Sequence, residues 1–126
     1  MRASEVAGAI ARGLARAGWE ADLCPLEAVG SGAELAAALD EVRFDERMRA
    51  SRAVVLGQGT LRREDLRTAL GELATRARQA GVPAHAIVGA NRIDLFDQRI
   101  LDLQHVLEAP TAAAVEAAAE ALAGRL

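Results

Sequence analysis

The chain has 126 residues, which is the size of one ordinary domain, and 52% of them are hydrophobic. All 15 basic residues are arginines, so the sequence excludes a P-loop lysine and a Schiff-base lysine. The single cysteine excludes an internal disulfide and a cysteine-based zinc cluster, and two histidines argue against a multi-histidine metal site. We therefore expect no metal site.

The charge pattern argues against nucleic-acid and membrane partners. The net charge is −3, tyrosine is absent and only two Phe and one Trp are present, so both basic clusters and stacking aromatics are missing. No uncharged apolar run reaches the ~20 residues that span a bilayer. Glu5 and Arg12 interrupt the first apolar stretch, which is not typical of a signal peptide. We expect a cytoplasmic protein.

The first third of the chain predicts two helices around a short strand. A helix is expected from Ser4 to about Ala17, capped by Ser4 and ended by Gly18 in a left-handed conformation. Polar and apolar residues alternate over Glu20–Cys24, and Pro25 follows, which is typical of a short strand that ends in a loop. A glycine-containing connection, residues 27–32, precedes a second helix with apolar positions at Leu35, Leu39 and Val42.

The middle of the chain predicts a strand, a glycine loop and a helix. Phe44–Arg52 is compatible with a helix or a loop, and Ala53–Leu56 is a short apolar strand that ends at Gly57. The helix that follows has apolar positions at Leu66, Leu70, Leu73 and Ala77, and stops before Pro83.

The last third predicts two further strands and a terminal helix. Ala84–Val88 is an apolar strand closed by Gly89, and Val106-Leu107 is a weaker strand signal. Residues 94–104 are compatible with a helical turn or an irregular loop. Thr111 is expected to cap an alanine-rich terminal helix.

Alternation of strands and helices along the whole chain predicts an α/β fold in a single domain, residues 1–126. We expect a three-layer, doubly wound, Rossmann-like arrangement with about four mainly parallel strands. In such sheets ligands bind at the carboxyl ends of the strands.

The strongest local signal for a ligand site is the run VVLGQGTLRRED, residues 54–65. A strand that passes into Gly-x-Gly and then a helix can wrap an anion in backbone N–H groups. A tight turn with Thr60 as a simple helix cap explains the same pattern. The candidate ligand-binding residues here are Gly57, Gln58, Gly59, Thr60 and Arg62.

Further candidates lie at two other predicted strand ends. Gly30, Ser31 and Gly32 precede the second helix, and Asn91 follows the third strand. A flexible connection and a solvated loop explain these residues as well. We expect His85 to be a packed core residue, whereas Cys24 has no evident His or Asp partner. No catalytic residue is assigned.

Five segments in order resemble bacterial glycerate kinases. SEVAGAIARGLARAG (residues 4–18) and CPLEAVGSGAEL (24–35) resemble the N-terminal region of that family, where a helix and a strand lead to "PLADGGEGT". ASRAVVLGQGTLRRE, RARQAGVPAHAIVG and the tail AAAVEAAAEALAGRL are similar to its C-terminal region, with "DLVITGEGRLD", "RARxAGVPV" and an Ala-rich helix. The resemblance implies the Rossmann-like domain of the family without the middle of the longer chain.

The resemblance also implies a binding domain whose active site is degenerate. Gln58, Thr60 and Arg62 stand where the family motif has an acid, an arginine and an aspartate, and no lysine follows. Phosphoryl transfer depends on cations and Mg²⁺ at the transferred phosphate. We therefore expect a domain that binds a small anionic ligand or a partner.

Two alternatives stay open. One is an active kinase for glycerate or another small hydroxy acid, which uses Mg-ATP and is completed by a partner chain or a homodimer. The other is a structural or assembly module that dimerises through small residues on the terminal helix.

Overall fold

The computed structural model describes residues 1–26, 30 and 32–126, except for the side chain of Leu66. Six α-helices, three strands and one 3₁₀ turn occupy this part of the chain. The helices are α1 (Ala3–Arg16), α2 (Ala33–Glu41), α3 (Phe44–Arg49), α4 (Ala69–Ala80), α5 (Leu95–Ile100) and α6 (Ala112–Ala123). The strands are β1 (Val54–Leu61), β2 (Ala84–Asn91) and β3 (Leu103–Glu108), and the 3₁₀ turn is Arg63–Arg67.

The three strands form one parallel sheet in the order β1-β2-β3, with helices on both faces. One face carries α1 and α6, whose apolar side chains cluster with Ile87 of β2. The other face carries α2, α3 and α4, which pack against Leu56 of β1 and Val88 of β2. Successive strand residues point to opposite faces, so a strand buried on both sides is apolar at every position. The predicted Rossmann-like α/β fold is confirmed, with three strands among the described residues instead of four.

The predicted strand at Glu20–Cys24 is wrong: these residues form no strand ladder. Arg47 holds this segment through side-chain hydrogen bonds to the Asp22 carboxylate, at 2.6 and 2.9 Å, and to the Leu23 carbonyl, at 2.7 Å. Because Arg47 belongs to α3, the segment is fixed to a helix and not to the sheet.

The predicted glycine loop at Gly57–Thr60 is also wrong, because β1 continues through it to Leu61. Gly57 pairs with Ile87, and Thr60 pairs with Ala90. The hydrogen bonds of the parallel ladder compensate for the weak strand propensity of glycine. In the same way β2 runs past Gly89 to Asn91.

The helix ends follow the sequence signals in part. Gly18 has φ +86° after α1, as predicted, and the Thr111 side chain accepts the Ala114 N–H at 3.1 Å to cap α6. Ser4 is not a cap, because α1 already begins at Ala3. The 94–104 stretch contains α5, and the Asp94 carboxylate caps this helix by accepting the Asp97 N–H at 2.8 Å.

Candidate functional site: a cleft beside the first strand

A cleft of about 830 Å³ lies along the outer edge of β1. Its floor is the edge of β1 from Val54 to Gly59, and its outer wall is the segment Trp19–Leu26. One side wall is α1, and the opposite side is built by α3 and the start of α4. The cleft therefore continues the plane of the sheet between the two helix layers.

Apolar side chains form most of the cleft. Helix α1 contributes Val6, Ile10 and Leu14, and the opposite layer contributes side chains from α3 and α4. On α1 these three residues recur every four positions, so they line one face of the helix. Gly57 permits this approach, because a Cβ there would lie 2.7 Å from Cγ1 of Val6.

The outer wall reaches both hydrophobic clusters. Trp19 packs with the α1–α6 cluster and donates its indole N–H to the Ala123 carbonyl at 3.3 Å. Cys24 and Leu26 pack with the cluster on the opposite face. The wall thus crosses from one layer to the other, and the cleft lies between it and β1.

Charged side chains line the cleft mainly at the amino end of β1. Asp22 and Arg47 are bonded to each other there, and this hydrogen bond lowers the pKa of the Asp22 carboxyl. The Arg52 guanidinium lies 5.5 Å from the centre of the Trp19 ring, within the range of a cation–π contact. Deeper in the same wall, burial raises the pKa of the Cys24 thiol.

The structure separates the residues that the sequence proposed as one site. Gly57, Gln58 and Gly59 line the cleft beside β1. The Gln58 amide is used locally, because its Nε2 donates to the Thr60 carbonyl at 2.9 Å. Gly32 lines a second, smaller cavity of about 240 Å³, together with residues of α2 and α4.

The remaining candidates line neither of these two cavities, and Ser31 is outside the described residues. Gly30 lies beside Glu34, where a Cβ would be 2.5 Å from the carboxylate. The Asn91 side chain accepts the N–H of Ile93 at 3.1 Å, which is a local turn contact. Thr60 and Arg62 lie at the carboxyl end of β1, at the strand edge where ligands bind in doubly wound sheets.

Two arginines follow neighbouring strands at the carboxyl edge of the sheet. Leu61 pairs with Asn91 and accepts the backbone N–H of Arg92 at 2.7 Å, so Arg62 and Arg92 follow the ends of neighbouring strands. Both arginines are exposed, and within the described part of the chain neither forms an ion pair. Arg63 differs, because its guanidinium lies 3.9 Å from the buried carboxylate of Asp97.

Among the described residues, no group of three or more His, Cys, Asp or Glu side chains could hold a metal ion. The two histidines do form a pair: Nδ1 of His85 lies 3.0 Å from Nδ1 of His105, and the rings stack at 5.1 Å. His85 is buried, as predicted, and burial lowers its pKa, with a further contribution from His105. The pairing itself was not predicted, because it depends on the irregular register between β2 and β3.

No protein-family model matches the chain, and a search of curated proteins gave no match either. No helix within the described ranges is long and apolar enough to cross a membrane. The resemblance to glycerate kinases therefore stays a prediction from the sequence.

Proposed function

We propose that the protein is a non-catalytic domain of the glycerate-kinase type that binds a partner in the cleft beside β1. The observation that carries this proposal is the cleft itself, about 830 Å³ of mainly apolar space at an edge of β1 that no strand among the described residues pairs with. Apolar concave sites of this size are typical of binding sites. Three of the predicted ligand-binding residues, Gly57, Gln58 and Gly59, line it.

The side chains of the site support binding without phosphoryl transfer. A kinase needs Mg²⁺ ligands and cations placed around the transferred phosphate. The chain has no lysine, and the amide of Gln58, which stands in place of the family acid, is engaged by Thr60. The described residues offer no cluster of acidic side chains for a metal ion. We expect no ATP-dependent phosphorylation of glycerate, and a measurable rate with the pure protein would overturn this part of the proposal.

Occupancy of the cleft can be measured with Cys24, the only cysteine of the chain, because it lines the cleft. As a probe we use 8-anilinonaphthalene-1-sulfonate, an amphiphilic dye with apolar aromatic rings and one sulfonate, and we follow alkylation of Cys24 by N-ethylmaleimide. If the cleft accepts an apolar occupant, saturating dye slows alkylation at least fivefold. An unchanged rate with bound dye would contradict the proposal.

Two glycine variants make this experiment specific. A Cβ at Gly59 would meet no atom within 4 Å, and Gly59 lines the cleft, so the larger side chain of Gly59→Leu should compete with the dye for this space and weaken its binding. Gly124→Leu is the matched control, because Gly124 lies after α6 and does not line the cleft. Equal dye affinity in both variants would place the dye elsewhere.

A small anion at the carboxyl edge of the sheet is the second candidate, favoured by the neighbouring exposed arginines Arg62 and Arg92. Thermal-shift titrations with Mg-ATP, Mg-ADP, glycerate and phosphate test it. A ligand at one hundred times its dissociation constant adds roughly 2.7 kcal/mol of stability, which raises the melting temperature by several degrees. The shift should disappear in Arg62→Gln and Arg92→Gln. A shift with Mg-ATP and glycerate together would instead favour a kinase that a partner chain or homodimer completes.

A further inference from the structure

The two histidines meet where the pairing of β2 with β3 is irregular. Between two regular pairs, one residue of β2, His85, lies opposite two residues of β3, Gln104 and His105. This arrangement is a β-bulge, which redirects the side chains of the bulged strand. His85 is buried, with 3% of its surface exposed, whereas His105 is half-buried on the outer strand of the described sheet.

The contact between the rings requires one shared hydrogen. Nδ1 of His85 lies 3.0 Å from Nδ1 of His105, which is a hydrogen-bond distance. Each neutral imidazole has one nitrogen with a hydrogen and one with a lone pair. Two lone pairs, or two N–H groups, would repel each other at this distance, so one Nδ1 donates and the other accepts. The two rings therefore have opposite tautomers when both are neutral.

This hydrogen bond tolerates one extra proton but not two. A first proton adds to Nε2 of the ring that donates, and the bond between the two Nδ1 atoms persists. A second proton can add only to the accepting Nδ1, because Nε2 of that ring already has its hydrogen. Two N–H groups on two positively charged rings would then face each other across 3.0 Å.

The surroundings of the pair do not offset a second charge. Burial lowers the pKa of His85, with a further contribution from His105 and from no other charged side chain. The ion pairs on α1 and α6, the helices on one face of the sheet, join arginines of α1 to glutamates of α6. The charged side chains on or next to the elements around His85 are Glu5, Arg12, Arg16, Arg52, Asp102, Glu108, Glu116, Glu120 and Arg125.

We propose that the His85–His105 hydrogen bond is a pH-sensitive clasp, which holds the start of β3 against β2 until both rings are protonated. The second protonation breaks the bond, and His105, the more exposed ring, turns toward water. The bulged start of β3 then separates from β2, since β3 pairs with no other strand in the described part of the chain.

The clasp is separate from the proposed binding site. Neither histidine lines the cleft beside β1, and the ladder between β1 and β2 stays paired when the clasp opens. The inference therefore goes beyond the proposed function and does not depend on it.

NMR of the imidazole nitrogens in the ¹⁵N-labelled protein tests the hydrogen bond, because the chain has only two histidines. At about pH 8, where both rings are neutral, we expect one ring with its hydrogen on Nδ1 and the other with its hydrogen on Nε2. On acidification His105 should bind the first proton, and His85 the second at a proton concentration at least tenfold higher. Identical tautomers at pH 8, or protonation of both rings at the same pH, would overturn the proposal.

Amide hydrogen exchange shows what the second protonation does to β3. After correction for the pH dependence of intrinsic exchange, the protected amides of residues 104–107 should lose protection at least tenfold as His85 is protonated. The protected amides of β1 should change little. Unchanged protection in β3 with both rings protonated would refute the clasp. Equal loss of protection in all three strands would refute it as well, because the whole domain would then unfold.

A matched pair of variants makes the exchange experiment specific. In His105→Gln the amide oxygen can accept a hydrogen bond but does not titrate, so the pH-dependent opening of β3 should disappear. Gln104→Ala is the control, because Gln104 is exposed beside the pair and its loss leaves both rings in place. The same pH response in both variants would contradict the proposal. If His105→Gln does not fold, the tautomers of the wild-type protein decide it.

Discussion

Substitution of Gly13 by alanine tests the close contact between helices α1 and α6. A Cβ at Gly13 would lie 2.2 Å from the backbone oxygen of Glu116 and 2.7 Å from Cβ of Ala119. Non-bonded carbon contacts are normally about 3.5 to 4.0 Å. The backbone of α6 would therefore have to move by about 1 Å, since no rotamer change can relieve a clash with a carbonyl oxygen.

Two opposing effects set the magnitude for Gly13→Ala. Alanine is better than glycine in a helix by about 1 kcal/mol. Overpacking of a close contact costs about 1 to 3 kcal/mol, and a backbone clash belongs at the upper end. The net loss of unfolding free energy is about 2 kcal/mol, which corresponds to a fall in melting temperature of about 6 to 10 °C for a domain of this length.

Gly8→Ala is the matched control, because Gly8 lies in the same helix but faces only a flexible side chain. The nearest atom to its Cβ would be Nη1 of Arg12, at 3.3 Å. Here the helix propensity should dominate and stabilise the protein by up to about 1 kcal/mol. Urea unfolding followed by circular dichroism measures both variants. If Gly13→Ala were as stabilising as Gly8→Ala, the close approach of α1 and α6 would be refuted.

Three further predictions concern single residues. Burial lowers the pKa of His85, so the folded protein binds a proton at this imidazole more weakly than the unfolded chain, whose pKa is about 6.5. The free energy of unfolding should therefore fall as the pH drops from 6.5 to 5. If the melting temperature of His85→Gln fell equally steeply with pH, this prediction would be contradicted. Thr111→Ala removes the cap of α6 and should lower the free energy of unfolding by about 1 kcal/mol in urea denaturation, whereas Thr111→Ser should keep it near the wild-type value. If both variants lost the same free energy, the cap hydrogen bond would not be the cause. Burial raises the pKa of the Cys24 thiol, and only the thiolate is alkylated, so the alkylation rate of Cys24 should still increase above pH 9. An alkylation rate that levels off below pH 9 would contradict the burial of this thiol.

The candidate site was found from the sequence only in part. The sequence predicts an anion-binding loop at Gly57, Gln58 and Gly59, and these residues do line the cleft beside β1, but as part of a strand. The Gly-x-Gly pattern indicates that another group approaches the backbone closely, but the pattern does not identify whether that group is a ligand or a side chain of the same protein. At Gly57 the neighbour is the Val6 side chain of α1, a contact between residues far apart in the chain.

The segments that build the layers of this protein follow from local patterns along the chain. A helix buries one face through apolar residues spaced three or four positions apart, and this spacing identifies α1, α4 and α6. A strand that is covered on both faces is instead apolar at consecutive positions, and such runs identify β1 and β2. Local signals of the same kind placed Gly18 and Thr111 at helix ends.

The length of each strand, and the edge of β1 that no described strand pairs with, depend on contacts between distant segments of the chain. Glycines at positions 57, 59 and 89 look like strand ends in isolation. The ladder between β1 and β2 nevertheless pairs Gly57 with Ile87, and it resumes beyond Gly59 and Gly89 where Thr60 pairs with Ala90. Conversely, Glu20–Cys24 alternates like a strand, but the side chain of Arg47 fixes it to α3. Strand pairing is a contact between distant segments, so the cleft beside β1 exists only once those contacts are made.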